Sequence, residues 1–578
     1  MIDKQQQVNK KKGLFPPYVK NMLIKLSTIS TISALIVLGF FGAAAAHYFM
    51  IGIYFIEQVL NDYFKNSTSF IFLFCSLSIT AVIVSLIKNK FKVERWQGPA
   101  DTIFAAHRID NELDVKTGIA STLAAFVSIA GGASVGQYGP LVHFGATLGA
   151  FVKATLRLRI TTNIILGGGV AAAISAGFNA PLAGIIFAHE AILRHFSMKA
   201  LAPIALASGT AFAVHNYLWE ASAPFLQSYS TAEIGPMILI SIAFGPFFGL
   251  TAVLFMSTVL MFSKFPKQMG LTRFQTVLIA ITGLSTIGTF YPDVMGMGTL
   301  TIVNLTSENV LLMVALAILI AKVFATALSL GFGFFGGVFS PALLIGAAAG
   351  SVATAIVNWT GLHSFHGPEL VICGMAAVAG AVIGAPLSMI IIVLEITESY
   401  GLALASTIGI VTATMISNQI FGNSLFDKQL LNRNIDLSQG RMGLRLMEEG
   451  ISSIISVNQL DVRPDTDIVL VRSAMIERGS TEAYVVSEER TYLGKLHLRS
   501  LILADRHDTI MNLMDKDALS IKSDASLQQA IKTASNFIGE TIPIIERETN
   551  MFIGTVSEGD IFKLYLELQG QTIDLKER

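Results

Sequence analysis

The chain has 578 residues, of which 52% are hydrophobic and only 14% charged, against roughly 25% charged in an ordinary soluble protein. That deficit excludes a soluble globular protein and points to a lipid bilayer as solvent. Forty basic residues balance forty acidic ones, which argues against a nucleic-acid partner. In chain order, Lys10, Lys11, Lys12, Lys20 and Lys25 precede the first apolar run, so the positive-inside rule places residues 1–25 in the cytoplasm. That run is too long for a cleavable signal core and has no obvious cleavage site, so it is expected to remain in the mature protein. Apolar stretches able to cross about 30 Å of hydrocarbon recur at residues 29–53, 70–87, 237–262 and 310–330. Cys75 and Cys373 both lie in apolar sequence and read as buried thiols, and no metal-ligand set is expected.

Three glycine-proline segments follow within the apolar region. Gln97-Gly98-Pro99 is a loop-to-helix start near Asp101. In Gly136-Gln137-Tyr138-Gly139-Pro140 the glycines permit close approach, and the proline suits a first helical turn whose free amides face the glycine-rich loop. Gly336-Gly337-Val338-Phe339-Ser340-Pro341 repeats this logic. One helix start contributes only about 0.3–2 kcal/mol to a nearby anion, far less than dehydration costs, so several starts must converge if they hold an ion without a buried lysine or arginine. Any one of these pairs could equally serve only to break a helix and allow close packing. Their repetition favours a site. Gly136, Pro140, Gly145 and Gly149 recur at the spacing of Gly337, Pro341, Gly346 and Gly350, and Ala180-Pro181-Leu182 with Glu190 is matched by Ala385-Pro386-Leu387 with Glu395. Two related halves of a transporter are implied, with the substrate site near midplane where they meet.

From about residue 440 the composition turns to mixed charge, as at Arg441, Arg445, Glu448 and Glu449. Two blocks share an order of strand, amphipathic helix, strand, turn, strand and helix. The first runs from Ile454 through a helix at 467–477 to strands at 484–486 and 493–496. The second places strands near Ile521 and at 541–545 and 552–556, with helices at 526–535 and 560–568. Each block resembles a CBS domain.

The apolar segments resemble the CLC family of anion channels and transporters. Gly136-Gln137-Tyr138-Gly139-Pro140 looks like its G-x-E-G-P filter segment, Gly337-Val338-Phe339-Ser340-Pro341 its G-x-F-x-P segment, and Phe178-Asn179-Ala180-Pro181-Leu182-Ala183-Gly184 its following signature. The resemblance implies a polytopic α-helical membrane protein with a CLC-type inverted repeat and a C-terminal cytoplasmic α/β CBS pair. The expected limits are 26–435 for the transmembrane domain, 436–450 for a linker, and 451–506 and 507–570 for the CBS units. It further implies a homodimer in a bacterial-type inner membrane, both termini cytoplasmic, with chloride or another small anion held by Gly136, Gln137, Tyr138, Gly139, Val338 and Phe339, together with Trp96, Gln97 and Gly98 of the first filter segment and Phe426 of the last membrane helix.

Four departures from the family pattern stand out. Aligning on Pro99, the G-S-G-x-P segment becomes Arg95-Trp96-Gln97-Gly98-Pro99, which puts Trp96 beside Gln97 and Gly98 where a serine hydroxyl is expected. The late tyrosine becomes Phe426. The gating glutamate becomes Tyr138, and the exchangers' second glutamate aligns with Ala191 after Glu190. A phenol with a reference pKa near 10 is a poor proton carrier at neutral pH. His143 and His189 are the candidates for rescuing proton coupling. His189 with Glu190 reads more simply as a hydrogen-bonded pair at a helix end, and His143 as packing or pore lining. In the tail, Ser557 and Asp560 match the G-x-h-[ST]-x-x-D segment of nucleotide-binding CBS pairs, while the first block has His497 and Ser500 there. Adenine nucleotide is thus a candidate ligand of one half-site, with a purely structural tail as the alternative. The expectation is a passive, voltage- or gradient-driven chloride channel gated by Tyr138. A proton-coupled exchanger using unconventional carriers and a weakly conducting CBS-linked sensor are the rivals.

Overall fold

The computed structural model describes residues 17–63, 70–108, 112–156, 158, 160–219, 234–307, 310–361, 368–438, 440–505 and 508–577. The expected lysines at 10–12 lie outside these. The chain divides into two compact units, one essentially up to Asn434 and one from Ile435 onward.

The regular elements of the first unit are all helices among its described residues. It comprises α1 (Pro17–Tyr63), α2 (Phe70–Phe91), α3 (Pro99–His107), α4 (Val115–Ala130), α5 (Tyr138–Leu156), α6 (Thr162–Phe178) and α7 (Pro181–Phe187), which continues as a π-helical turn Ala188–Leu193. Then come α8 (Met198–Trp219), α9 (Ile234–Gln268), α10 (Arg273–Phe290), α11 (Thr299–Ser307), α12 (Leu312–Gly331), α13 (Phe339–Thr360), α14 (Glu369–Ile383), α15 (Pro386–Thr397), α16 (Tyr400–Ile420) and α17 (Leu425–Leu431). The four expected spans fall on α1, α2, α9 and α12. Among the described residues, α13 and a stretch from Tyr400 to Leu431 are also long and apolar enough to cross a membrane, whereas α4, α6, α14 and α15 are shorter. Polar residues survive in these helices by bonding back along their own backbone, as Thr122 does to Gly118, Thr147 to His143 and Thr354 to Gly350.

The repeat read from the sequence is structural. α4 to α7 correspond to α12 to α15, and the recurring glycines are the crossing points of equivalent helix pairs. A Cβ on Gly145 would lie 2.2 Å from the Gly169 carbonyl oxygen, and one on Gly149 would lie 2.6 Å from that of Ile165. In the second half, a Cβ on Gly346 would lie 2.5 Å from the oxygen of Gly374, and one on Gly350 would lie 2.3 Å from that of Leu370. Only glycine lets these backbones touch, which in lipid replaces the missing hydrophobic drive between helices.

The second unit holds α18 (Gly440–Glu448), β1 (Asp461–Val462), α19 (Ile468–Arg478), β2 (Glu482–Val486), β3 (Tyr492–His497), α20 (Leu498–Ile502), α21 (Ile510–Leu513), β4 (Ile521–Lys522), α22 (Leu527–Ala534), β5 (Thr541–Ile545), β6 (Phe552–Ser557) and α23 (Glu558–Glu577). Two three-stranded sheets form, β1-β2-β3 and β4-β5-β6, each with one parallel and one antiparallel pairing. Two expectations are corrected here. Residues 440–448 are not a bare linker: Met442 and Leu446 pack into the second block's core, and the Leu527 amide donates to the Glu449 carbonyl at 2.7 Å. The segment after Ile454 does not open the first sheet either. Ser456 pairs with Thr555 of β6, while Asp515 pairs with Lys495 of β3. The blocks exchange strands, so Ile510 and Met514 close the first block's core although they lie past residue 506.

Candidate anion site

Gly136 and Gly337, equivalent positions in the two halves, exchange both backbone hydrogen bonds at 2.7 Å. This bridge brings the starts of α5 and α13 together. A Cβ on Gly136 would press to 2.7 Å from Pro341, and one on Gly139 would reach 3.0 Å from the Gly337 Cα and 3.6 Å from Pro99 at the start of α3. The three helix starts therefore converge. The amides of Tyr138, Gly139, Val338 and Phe339 have no acceptor among the described residues, as expected for first-turn groups. They are the donors an anion can use.

The other expected donors are already engaged. The Gln137 amide donates to Ser340 Oγ at 3.2 Å, and the Gln97 amide to Ser121 Oγ at 2.9 Å. The Gly98 amide donates to Asp101, whose carboxylate also pairs with Arg95 at 2.6 Å and Arg433 at 2.9 Å. At α3, then, a carboxylate of the chain itself occupies the helix start. Trp96 packs on Phe335 with ring centroids 5.6 Å apart, and Phe426 is buried in the first turn of α17. Both line a cavity of about 1520 Å³ that reaches Gly98, Pro140, Gly337 and Val338.

Tyr138 is buried at the head of α5. Its ring stacks on Phe178 at 3.9 Å and 19°, with Phe339 5.4 Å away. Phe178 ends α6 and Phe339 begins α13, so both halves clamp the phenol ring. His143 is fully buried, and its Nδ1 shares a 2.8 Å hydrogen bond with Thr102 of α3. It ties α5 to α3.

The expected His189–Glu190 pair does not form. His189 Nδ1 bonds the His195 carbonyl at 3.2 Å, and its ring stacks on Phe196. Glu190 instead reaches the other half, accepting from the Leu387 amide at 2.9 Å and from the amide and hydroxyl of Ser388 at 2.7 and 2.6 Å. Glu395 reciprocates, accepting from the amides of Leu182 at 2.8 Å and Ala183 at 2.7 Å. Each glutamate caps the proline-led helix of the opposite repeat, where the helix dipole favours a carboxylate. Their matched spacing is visible in the sequence, but the exchange is not. A further residue went unread: Lys322, fully buried on α12, donates to the carbonyls of Val294 at 2.8 Å and Gly296 at 2.9 Å. The helical unit does hold a buried lysine, and it braces a loop next to Ser134, which donates to the same Val294 carbonyl.

The voltage gated chloride channel family matches residues 80–418, more than half the chain, and the CBS domain family matches residues 510–567. The chain is a member of the CLC family. A ClcB-like protein of Ralstonia nicotianae is 26% identical over 59% of this chain and 81% of its own length. The H(+)/Cl(-) exchange transporter ClcA of Salmonella agona is 33% identical over 52% of this chain, which spans 65% of that protein. A solved structure of a eukaryotic CLC transporter superposes with a TM-score of 0.61 over 92% of this chain and 98% of its own, and at 18% identity this speaks to the fold. The CLC fold, its membrane location and a C-terminal CBS region are thereby established. The first block of the tail lies outside the CBS match but repeats the second block's sheet.

Proposed function

We propose that this CLC protein conducts chloride or a similar small anion passively, without proton coupling, past Tyr138. The observation that carries the reading is the Tyr138 ring, an uncharged group fixed by Phe178 and Phe339 where the family's exchangers carry a titrating glutamate. Glu190, the carboxylate adjacent to Ala191, is bound to the start of α15 and so is an unsuitable carrier. The similarity to a named exchanger favours the coupled alternative, and the two readings separate in one experiment. Chloride and proton movement are followed together in liposomes. Chloride flux without stoichiometric protons supports the channel, whereas coupled uphill proton movement refutes it.

Two further parts of this reading concern assembly and the tail. The functional form is a homodimer in the inner membrane with both termini cytoplasmic, in keeping with the basic amino end. Adenine nucleotide binds weakly at Ser557 and Asp560, whose side chains already meet at 2.6 Å at the start of α23. A nucleotide must break that contact to gain a hydroxyl and a carboxylate, which accounts for weak binding. Calorimetry on the full chain at millimolar ATP, ADP and AMP, with Asp560→Ala as control, tests this. Binding that the substitution leaves intact would place the ligand elsewhere.

A further inference from the structure

The cavity beside the filter continues as a groove between α2, α9 and α10. Phe74, Ser78, Val82, Ser85 and Lys88 of α2 line it at helical spacing, so it follows one face of that helix. The fourteen steps from Phe74 to Lys88 at 1.5 Å each span about 21 Å, enough for an acyl chain filling one leaflet of about 15 Å plus its head. The walls are largely apolar, and Val82 (59% exposed) and Phe274 (76% exposed) leave the groove open on a face that an inorganic ion has no use for.

One end of the groove is strongly cationic. Lys88, Lys267 and Arg273 all line it, and no carboxylate pairs with them among the described residues. Arg273 hydrogen-bonds Ser85, one turn before Lys88, and the two cations repel. Arg273 also begins α10, where the helix dipole disfavours a positive charge. Asp101, the one carboxylate on the cavity wall among the described residues, is already held by Arg95 and Arg433. Lys88 and Arg273, which repel each other, stand with Lys267 at the mouth of an apolar groove and are complementary to a molecule with an anionic head and an apolar tail.

We propose that this groove binds an anionic phospholipid of the surrounding bilayer, its phosphate on Lys88, Lys267 and Arg273 and one acyl chain along α2. Because the cavity is also bounded by Gly98 and Val338, occupancy reduces access to the filter. That consequence rests on the conduction reading, and the binding does not.

The test uses the full chain in phosphatidylcholine vesicles carrying trace spin-labelled phosphatidylglycerol or spin-labelled phosphatidylcholine. The readout is the lipid fraction immobilised by the protein. The wild type is expected to prefer phosphatidylglycerol several-fold. The preference should vanish in Lys88→Gln/Arg273→Gln, which removes the charges, and in Val82→Trp, which fills the groove and leaves the charges. No preference in the wild type overturns the proposal, and so does a preference lost in the charge variant but kept in Val82→Trp, which is surface attraction only. Immobilisation of spin-labelled stearic acid in place of the phospholipid also overturns it. Independently, raising phosphatidylglycerol should lower chloride flux in the wild type and not in the two variants, and flux insensitive to lipid despite selective binding would remove the control of the path while leaving the site.

Discussion

At the scale of single residues, the proposed passive conduction turns on Tyr138. A neutral phenol can block sterically or offer its hydroxyl, and the aromatic clamp of Phe178 and Phe339 fixes the ring more firmly than the hydroxyl. Tyr138→Phe keeps the ring and its packing, so flux should stay near wild type. Tyr138→Ala should raise chloride flux, at a stability cost of about 3–5 kcal/mol for an emptied aromatic site. Liposome flux of the three proteins decides this, and three equal rates would show that the ring is not the gate. A second residue prediction concerns the tail. Burial of Glu482 works to raise its pKa, but hydrogen bonds from Lys495 and from the amides of Glu540 and Thr541 outweigh it and hold the carboxyl below its ordinary value. A depressed carboxyl contributes stability that is present above the unfolded value of about 4.3 and is lost as pH falls through the folded one. The tail should therefore loosen on acidification below about pH 4. Glu482→Gln should abolish that acid-dependent loss and cost about 3–5 kcal/mol at neutral pH by leaving Lys495 buried without its partner. Hydrogen exchange over residues 482–497, corrected for its intrinsic pH dependence, reads both.

At the scale of elements, helix starts and helix crossings organise the membrane unit. Glu190 and Glu395 each accept from two amides of the opposite proline-led helix, and Glu190 alone also accepts from the Ser388 hydroxyl, so Glu190→Gln and Glu395→Gln should each destabilise by about 0.3–2 kcal/mol, the range for a charge at a helix terminus, with the larger loss at Glu190. Thermal unfolding that is unchanged in either variant would show that its carboxylate charge does not stabilise the helix start. The crossings are less forgiving. Gly145→Ala drives a methyl into the Gly169 carbonyl and should lower the yield of folded protein sharply, whereas a Cβ on Gly209 meets nothing within 4 Å, so Gly209→Ala should be neutral or slightly stabilising. Gel filtration of the two variants compares them directly. These elements were only half legible. The glycine and proline spacing is periodic and visible, because it must recur for two halves to fold alike. Which residue each glycine crosses depends on how neighbouring helices pack across a turn, as Gly149 does on Ile165, and which helix each glutamate caps depends on pairings some 200 positions apart; no local pattern encodes either.

At the scale of the molecule, the membrane class, the duplication and the two-block tail could be read from composition and period, since each is written in many residues at once. The strand exchange between tail blocks could not, because Ser456 and Asp515 lie in short segments with no pattern of their own. That three helix starts converge was legible from the repeated glycine-proline segments. The loss of the Gly98 and Gln97 amides to Asp101 and Ser121 was not, because a donor's spare capacity is a property of its neighbours. On the proposed conduction reading, the engagement of Asp101 bears on how anions reach the converging helix starts. The cavity on that side carries Lys88, Arg95, Lys267, Arg273 and Arg433 against Asp101 alone, and low-dielectric walls focus such a field on incoming anions. Arg433→Gln should therefore reduce chloride flux several-fold at low ionic strength. Arg95 still neutralises Asp101 in that variant, so the filter geometry is kept. The deficit should shrink as salt approaches about 1 M, where the Debye length falls to about 3 Å and the cavity's field no longer reaches past its own mouth. Flux measured for wild type and Arg433→Gln across a salt series separates this from structural damage, because a damaged filter would lose the same factor at every ionic strength.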